Sequence, residues 1–97
     1  MPLDTIPFDA AEHIRSDEAQ IELLSDAFES GDSHYIAEAL GVVARARGMT
    51  DMARDAGITR EALYRALSDK GDPRLSTLMG VMKALGIRLT IAPRDAA

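Results

Sequence analysis

The chain has 97 residues and a formal net charge of −5, from 16 Asp and Glu against 11 Lys and Arg. That length makes one small domain with a modest core and is too short for a two-domain enzyme with an interdomain cleft. There is no cysteine, which excludes disulfides, zinc–thiolate sites and thiol nucleophiles.

The longest apolar run, residues 39–44 with its glycine, is six residues, whereas a membrane-spanning helix needs roughly 20. No positive flank precedes an apolar run at the start, so no secretory signal is visible. The expected address is the cytoplasm. The charge is uneven: residues 1–34 hold nine acids and one base, a net of −8, and residues 35–97 hold ten bases and seven acids, a net of +3. The acidic part suits a basic partner or is simply a solvated helix face; the remainder suits phosphates.

In chain order, residues 8–14 read as one or two helical turns anchored by Phe8 and Ile14. Ser16 or Asp17 caps the next helix, and Asp17 and Glu18 suit the positive end of its dipole. Ile21, Leu24 and Phe28 repeat at helical spacing and predict its buried stripe. Residues 30–33 stop that helix and offer Asp32 or Ser33 as the next cap. Ile36, Leu40, Val43 and Ala44 form a second stripe that ends at Gly48, with Arg45 and Arg47 in the last turn, where cations are favoured. Gly41, inside this helix, suits a close approach by a neighbour.

Thr50 is expected to cap a short helix over 51–56, with Gly57 ending it. Thr59 then caps a helix running to about residue 67. Two short helices separated by a three- to four-residue turn with glycine match a helix-turn-helix. Ala53 is small where the pair would cross. Gly57 takes a positive φ without a Cβ penalty. Met52, Ala56, Ile58, Leu63 and Leu67 face inward, and Arg54, Asp55, Arg60, Glu61 and Arg65 outward. After a loop over 69–74, Ser76 is expected to cap a last helix with Leu78, Met79, Met82 and Leu85 apolar and Gly86 as its stop. Ile87, Leu89 and Ile91 then alternate with Arg88 and Thr90, a strand pattern closed by Pro93.

The stretches 39–41 (Ala-Leu-Gly), 44–49 (Ala-Arg-Ala-Arg-Gly-Met), 59–68 (Thr-Arg-Glu-Ala-Leu-Tyr-Arg-Ala-Leu-Ser), 71–73 (Gly-Asp-Pro) and 84–86 (Ala-Leu-Gly) resemble the addiction-module antidote proteins. These are HigA-like antitoxins with a Cro/repressor-type (XRE) helix-turn-helix. Phe8-Asp9 and the acidic helices up to Gly31-Asp32 extend the likeness to roughly residues 8–92. Asp72 stands where family members commonly carry asparagine. The resemblance implies an all-α, lambda-repressor-like DNA-binding domain over 34–97, with a short C-terminal strand. An acidic helical arm over 1–33 would pack on it. It further implies an antitoxin that neutralises a small basic toxin of the RelE/HigB type and represses its own operon. The competing readings are a stand-alone transcriptional regulator without a toxin and an interaction protein that no longer binds DNA.

The second helix of such a motif lies in the major groove with its N-terminal residues toward the base edges. These are Thr59, Arg60 and Glu61, with Tyr64 and Arg65 one turn later. Arg60 has the fork to bind guanine O6 and N7 together. Glu61 either accepts from cytosine N4 or pairs with Arg65 at i,i+4. Tyr64 either reaches a phosphate through its hydroxyl or packs its ring against the loop. Lys70 and Arg74 flank the helix toward phosphates or are ordinary solvated loop cations. The helix starting at Thr50 offers free N–H groups to another phosphate. No enzyme, cofactor or metal is expected: His13 and His34 lack ligand spacing, and neither a nucleophile elbow nor a glycine-rich phosphate loop occurs. A lone strand needs a partner, and a palindromic operator needs two recognition helices. Both point to a homodimer on double-stranded DNA.

Overall fold

Ser16 leaves the extended region with its hydroxyl accepting from the Ala19 N–H at 3.1 Å and so starts α1 (Asp17–Ser30). Asp32 caps α2 (Ser33–Arg47) by accepting from the His34 N–H at 2.9 Å. Three shorter helices follow: α3 (Met49–Ala56), α4 (Arg60–Ala66) and α5 (Leu75–Leu85). A computed structural model describes residues 16–95. The turns expected over 8–14, and His13, lie outside the described residues.

Two starts differ from expectation. Helix α3 begins at Met49 with Gly48 as its cap residue, so Thr50 sits exposed inside the first turn and caps nothing. Helix α5 begins at Leu75 after Arg74, again without a side-chain cap, and Ser76 lies within it. In both cases the backbone turns into the helix one residue before the hydroxyl.

The core is built around α2. Leu40, Val43 and Ala44 are fully buried, and Ala37, Ala39 and Gly41 join them. A Cβ at Gly41 would collide with the backbone carbonyl of Leu67, so α2 meets the end of α4 backbone against backbone. Leu24 and Ala27 of α1, Met52 and Ala53 of α3, Leu63 of α4, and Val81, Met82 and Leu85 of α5 complete one hydrophobic cluster. Each fully buried aliphatic side chain of this kind contributes about 1.5–3 kcal/mol.

The stripe of α1 is rotated from the one its apolar residues predict. Gln20, Leu24 and Ala27 are buried, while Ile21 is 45% exposed. Burial of Gln20 is satisfied by Arg47 of α2, whose Nε donates to its Oε1 at 2.8 Å. An amide so bonded is tolerated inside. On α5, Met79 is likewise turned out, 49% exposed, and Val81 takes the inner position.

The strand expected over residues 87–91 is not formed among the described residues. The Ile87 N–H donates to the Met82 carbonyl at 2.9 Å. Beyond it the backbone makes no hydrogen bond within the described chain. A strand exists only through a ladder with another strand, and none is present.

Candidate nucleic-acid interface

Helix α4 owes its orientation to Leu63 and Leu67, four residues apart, which are buried in the hydrophobic cluster. With 3.6 residues per turn, burying that face turns residues 61 and 65 outward and sets 64 on its flank, while Arg60, three residues before Leu63, is exposed because it opens the helix. Arg60, Glu61, Tyr64 and Arg65 are all exposed. Upstream, Gly57 closes α3 at φ 77°, in the left-handed region that a side chain resists. Ile58 donates back to the Ala53 carbonyl at 3.0 Å, fixing the short turn. Thr59 then caps α4, its hydroxyl accepting from the Ala62 N–H at 3.0 Å.

Arg60 places its guanidinium carbon 5.6 Å from the centre of the Tyr64 ring, one turn later on the same face. An exposed cation–π contact of this kind is worth about 0.5–1 kcal/mol and narrows the swing of the arginine. The Tyr64 ring therefore faces Arg60 on its own helix. Glu61 and Arg65 make no ion pair with each other or with any other described residue.

Lys70 and Arg74, on the loop between α4 and α5, are exposed and equally without an ion-pair partner among the described residues, despite Asp69 and Asp72 beside them. His34 anchors the start of that loop: its Nδ1 lies 2.8 Å from the Asp69 carbonyl. The side chain serves as a tie between α2 and the loop, and no cluster of three or more His, Cys, Asp or Glu able to hold a metal occurs among the described residues.

One shallow cavity of about 370 Å³ brings separate elements together. It is lined by Arg45 at the end of α2, Gly48, Thr50 and Asp51 at the start of α3, and Arg60 and Tyr64 of α4. Thr50 and Arg60, ten residues apart in sequence, thus share one concave surface. Among the described residues Asp51 is the only acid lining it, and Arg54 holds that carboxylate at 3.2 Å. Arg45 was not among the residues singled out from the sequence, where it reads as a favourable charge at a helix C-terminus. Its neighbour Arg47 is used differently, on Gln20 and, at 3.5 Å, on Asp17 of α1.

The site is thus a helix face with a concave flank, on which Arg60 and Arg65 have no ion-pair partner among the described residues. The chain belongs to the family described as probable addiction module antidote protein, which matches residues 4–93. A relative from Haemophilus influenzae, described as an uncharacterized protein, is 46% identical over 84 residues, covering 87% of each chain. No solved structure matches.

Proposed function

We propose that this chain is the antitoxin of a type II toxin–antitoxin module. In this reading it neutralises a small basic toxin of the RelE/HigB type in the cytoplasm. It also represses its own operon by setting α4 into the major groove of operator DNA, with α3 and α4 as the helix-turn-helix of a lambda-repressor-like domain. Membership of an antidote family supports the toxin partner. The DNA half rests on one observation: Arg60 and Arg65 of α4, and Lys70 and Arg74 of the loop after it, are exposed with no carboxylate neutralising them among the described residues.

The division of labour follows from side-chain chemistry. Arg60, steadied on Tyr64, offers two parallel N–H donors to guanine O6 and N7, a contact worth about 1–3 kcal/mol of discrimination. Glu61 lies next to it with free acceptor oxygens and suits a cytosine N4 amine. Arg65, Lys70 and Arg74, with Thr50 and the Thr59 hydroxyl, take phosphates and set the register without reading sequence. The carboxylates of α1 and Asp32 supply the acidic surface toward a basic toxin. The reading contains no catalytic step and needs no cofactor.

The test uses the purified chain on the DNA preceding its own reading frame. A footprint is expected there, with an affinity that falls steeply with salt, by about −0.9 in log–log slope per phosphate neutralised. Equal affinity for unrelated DNA, or a flat salt response, overturns the repressor half. Failure of the chain to co-purify with the product of the adjacent reading frame overturns the toxin half and leaves a stand-alone regulator.

A further inference from the structure

The loop after α4 begins with a tight turn that carries one of the site's cations. The Gly71 N–H donates to the Ser68 carbonyl at 2.9 Å, a β-turn with Asp69 and Lys70 as its two central residues. Both are exposed. No described residue other than glycine has a positive φ, which excludes the turn types that need one at Asp69 or Lys70. The central peptide group of the turn joins the Asp69 carbonyl to the Lys70 nitrogen, and such a group is planar and rigid. The Asp69 carbonyl is the atom that His34 holds, with Nδ1 at 2.8 Å. A carbonyl can only accept, so Nδ1 is a protonated nitrogen of the ring.

The turn is seated from two sides. Gly71 rests against the end of α4, where an added Cβ would collide with the backbone carbonyl of Ala66. Only glycine lets the chain lie this close. From the other side comes His34, in the first turn of α2 and 35 residues from Asp69 in sequence. Its own backbone is fixed, because its N–H donates to the capping Asp32 carboxylate at 2.9 Å. The ring thus links a held helix start to the one peptide group that orients Lys70. The nearby bond from the Ser68 hydroxyl to the Arg65 carbonyl, at 3.1 Å, is local to the end of α4 and does not touch that group.

We infer that His34 is a positioning residue for Lys70 in DNA binding, a role that rests on reading α4 and its loop as the DNA-contacting surface. Lysine is a compact charge on a flexible stem, so the fold can fix only where the stem starts and which way it leaves. His34 fixes both through the shared peptide plane. Lys70 has no ion-pair partner among the described residues, so none of them competes with a phosphate for it.

The test uses His34→Ala, His34→Asn and Lys70→Ala in the full chain. Asparagine sets an amide N–H near the place of Nδ1 and keeps the bond without the ring. In the free protein, amide nitrogen relaxation should show Lys70 and Gly71 ordered in the unmodified chain, looser in His34→Ala and restored in His34→Asn. On the DNA preceding the reading frame, Lys70→Ala should shrink the log–log salt slope by about 0.9, the share of one phosphate. His34→Ala should remove a measurable part of that share with base preference unchanged, and His34→Asn should recover it. In a chain that already carries Lys70→Ala, His34→Ala should have no further effect on the slope, because it acts through Lys70. A histidine that only braced the fold would lower the melting temperature and leave the slope alone. An unchanged slope or unchanged Lys70 order in His34→Ala overturns the inference while the unmodified chain still binds. So does a His34→Ala effect that persists without Lys70. A flat salt response of the unmodified chain is a different failure, which overturns the reading of the whole surface and removes this role with it.

Discussion

Helices α1 and α2 tie several polar groups to each other, whereas the cations of α4 and its following loop have no ion-pair partner among the described residues. On the first side, Arg47 joins Gln20 and Asp17, and the Tyr35 hydroxyl donates to Asp26 at 2.6 Å. On the second, the only partner of Arg60 among the described residues is a ring on its own helix. Arg65, Lys70 and Arg74 have no ion-pair partner among the described residues. Exposed ion pairs contribute little to stability, so the difference bears chiefly on binding. Among the described residues, then, one region has its cations matched and the other leaves them unmatched, in a chain of net −5; the proposed function assigns those unmatched cations to an outside anion.

The comparison breaks most completely at the element both regions share. Leu40→Ala empties a fully buried site on α2 and should cost about 2–5 kcal/mol. Calorimetry should show the two regions unfolding together. Next in size, Arg60→Ala should weaken binding to the specific DNA site by about 1–3 kcal/mol and relax preference at one base pair. Its melting temperature should stay nearly unchanged, because the removed side chain is exposed. A fall in stability with intact specific affinity would place Arg60 with the scaffold and erase the contrast. The smallest effect belongs to Tyr35. Its hydrogen bond to the Asp26 carboxylate, then desolvation and the nearby negative charge, raise the phenol above its ordinary 10.0. A group raised in the folded state stabilises fully below its unfolded value and loses that contribution as pH climbs through the folded one. Melting curves of the native chain and Tyr35→Phe should therefore differ slightly at neutral pH and converge above pH 10.

What sequence made legible was local. Ser16, Asp32 and Thr59 cap where their side chains meet N–H groups two or three residues on, and Gly57 and Gly86 stop helices by their own backbone angles. The outward placing of Glu61 and Arg65 was legible too, because the four-residue spacing of Leu63 and Leu67 fixes it; that of Arg60 comes from its place in the first turn. What depended on distant partners was not. Gln20 is buried because Arg47 reaches it from 27 residues away, which turned Ile21 outward against the simple stripe. Arg45 entered the site through a neighbouring helix start. Thr50 and Ser76 look like caps by residue type, yet Gly48 and Arg74 hold those places. The alternation of residues 87–91 describes a segment suited to pairing, and pairing needs a second strand.

Thr59 spends only lone-pair electrons in closing the first turn of α4, since its oxygen is the acceptor toward Ala62. Its hydroxyl hydrogen is left over, at the mouth of the helix. Serine in its place would keep both capacities. Aspartate would keep the turn but replace that spare proton with a negative charge, repelling whatever anion approaches. A position that tolerates many residues as a helix start thus tolerates few once the outward-facing hydrogen has a recipient.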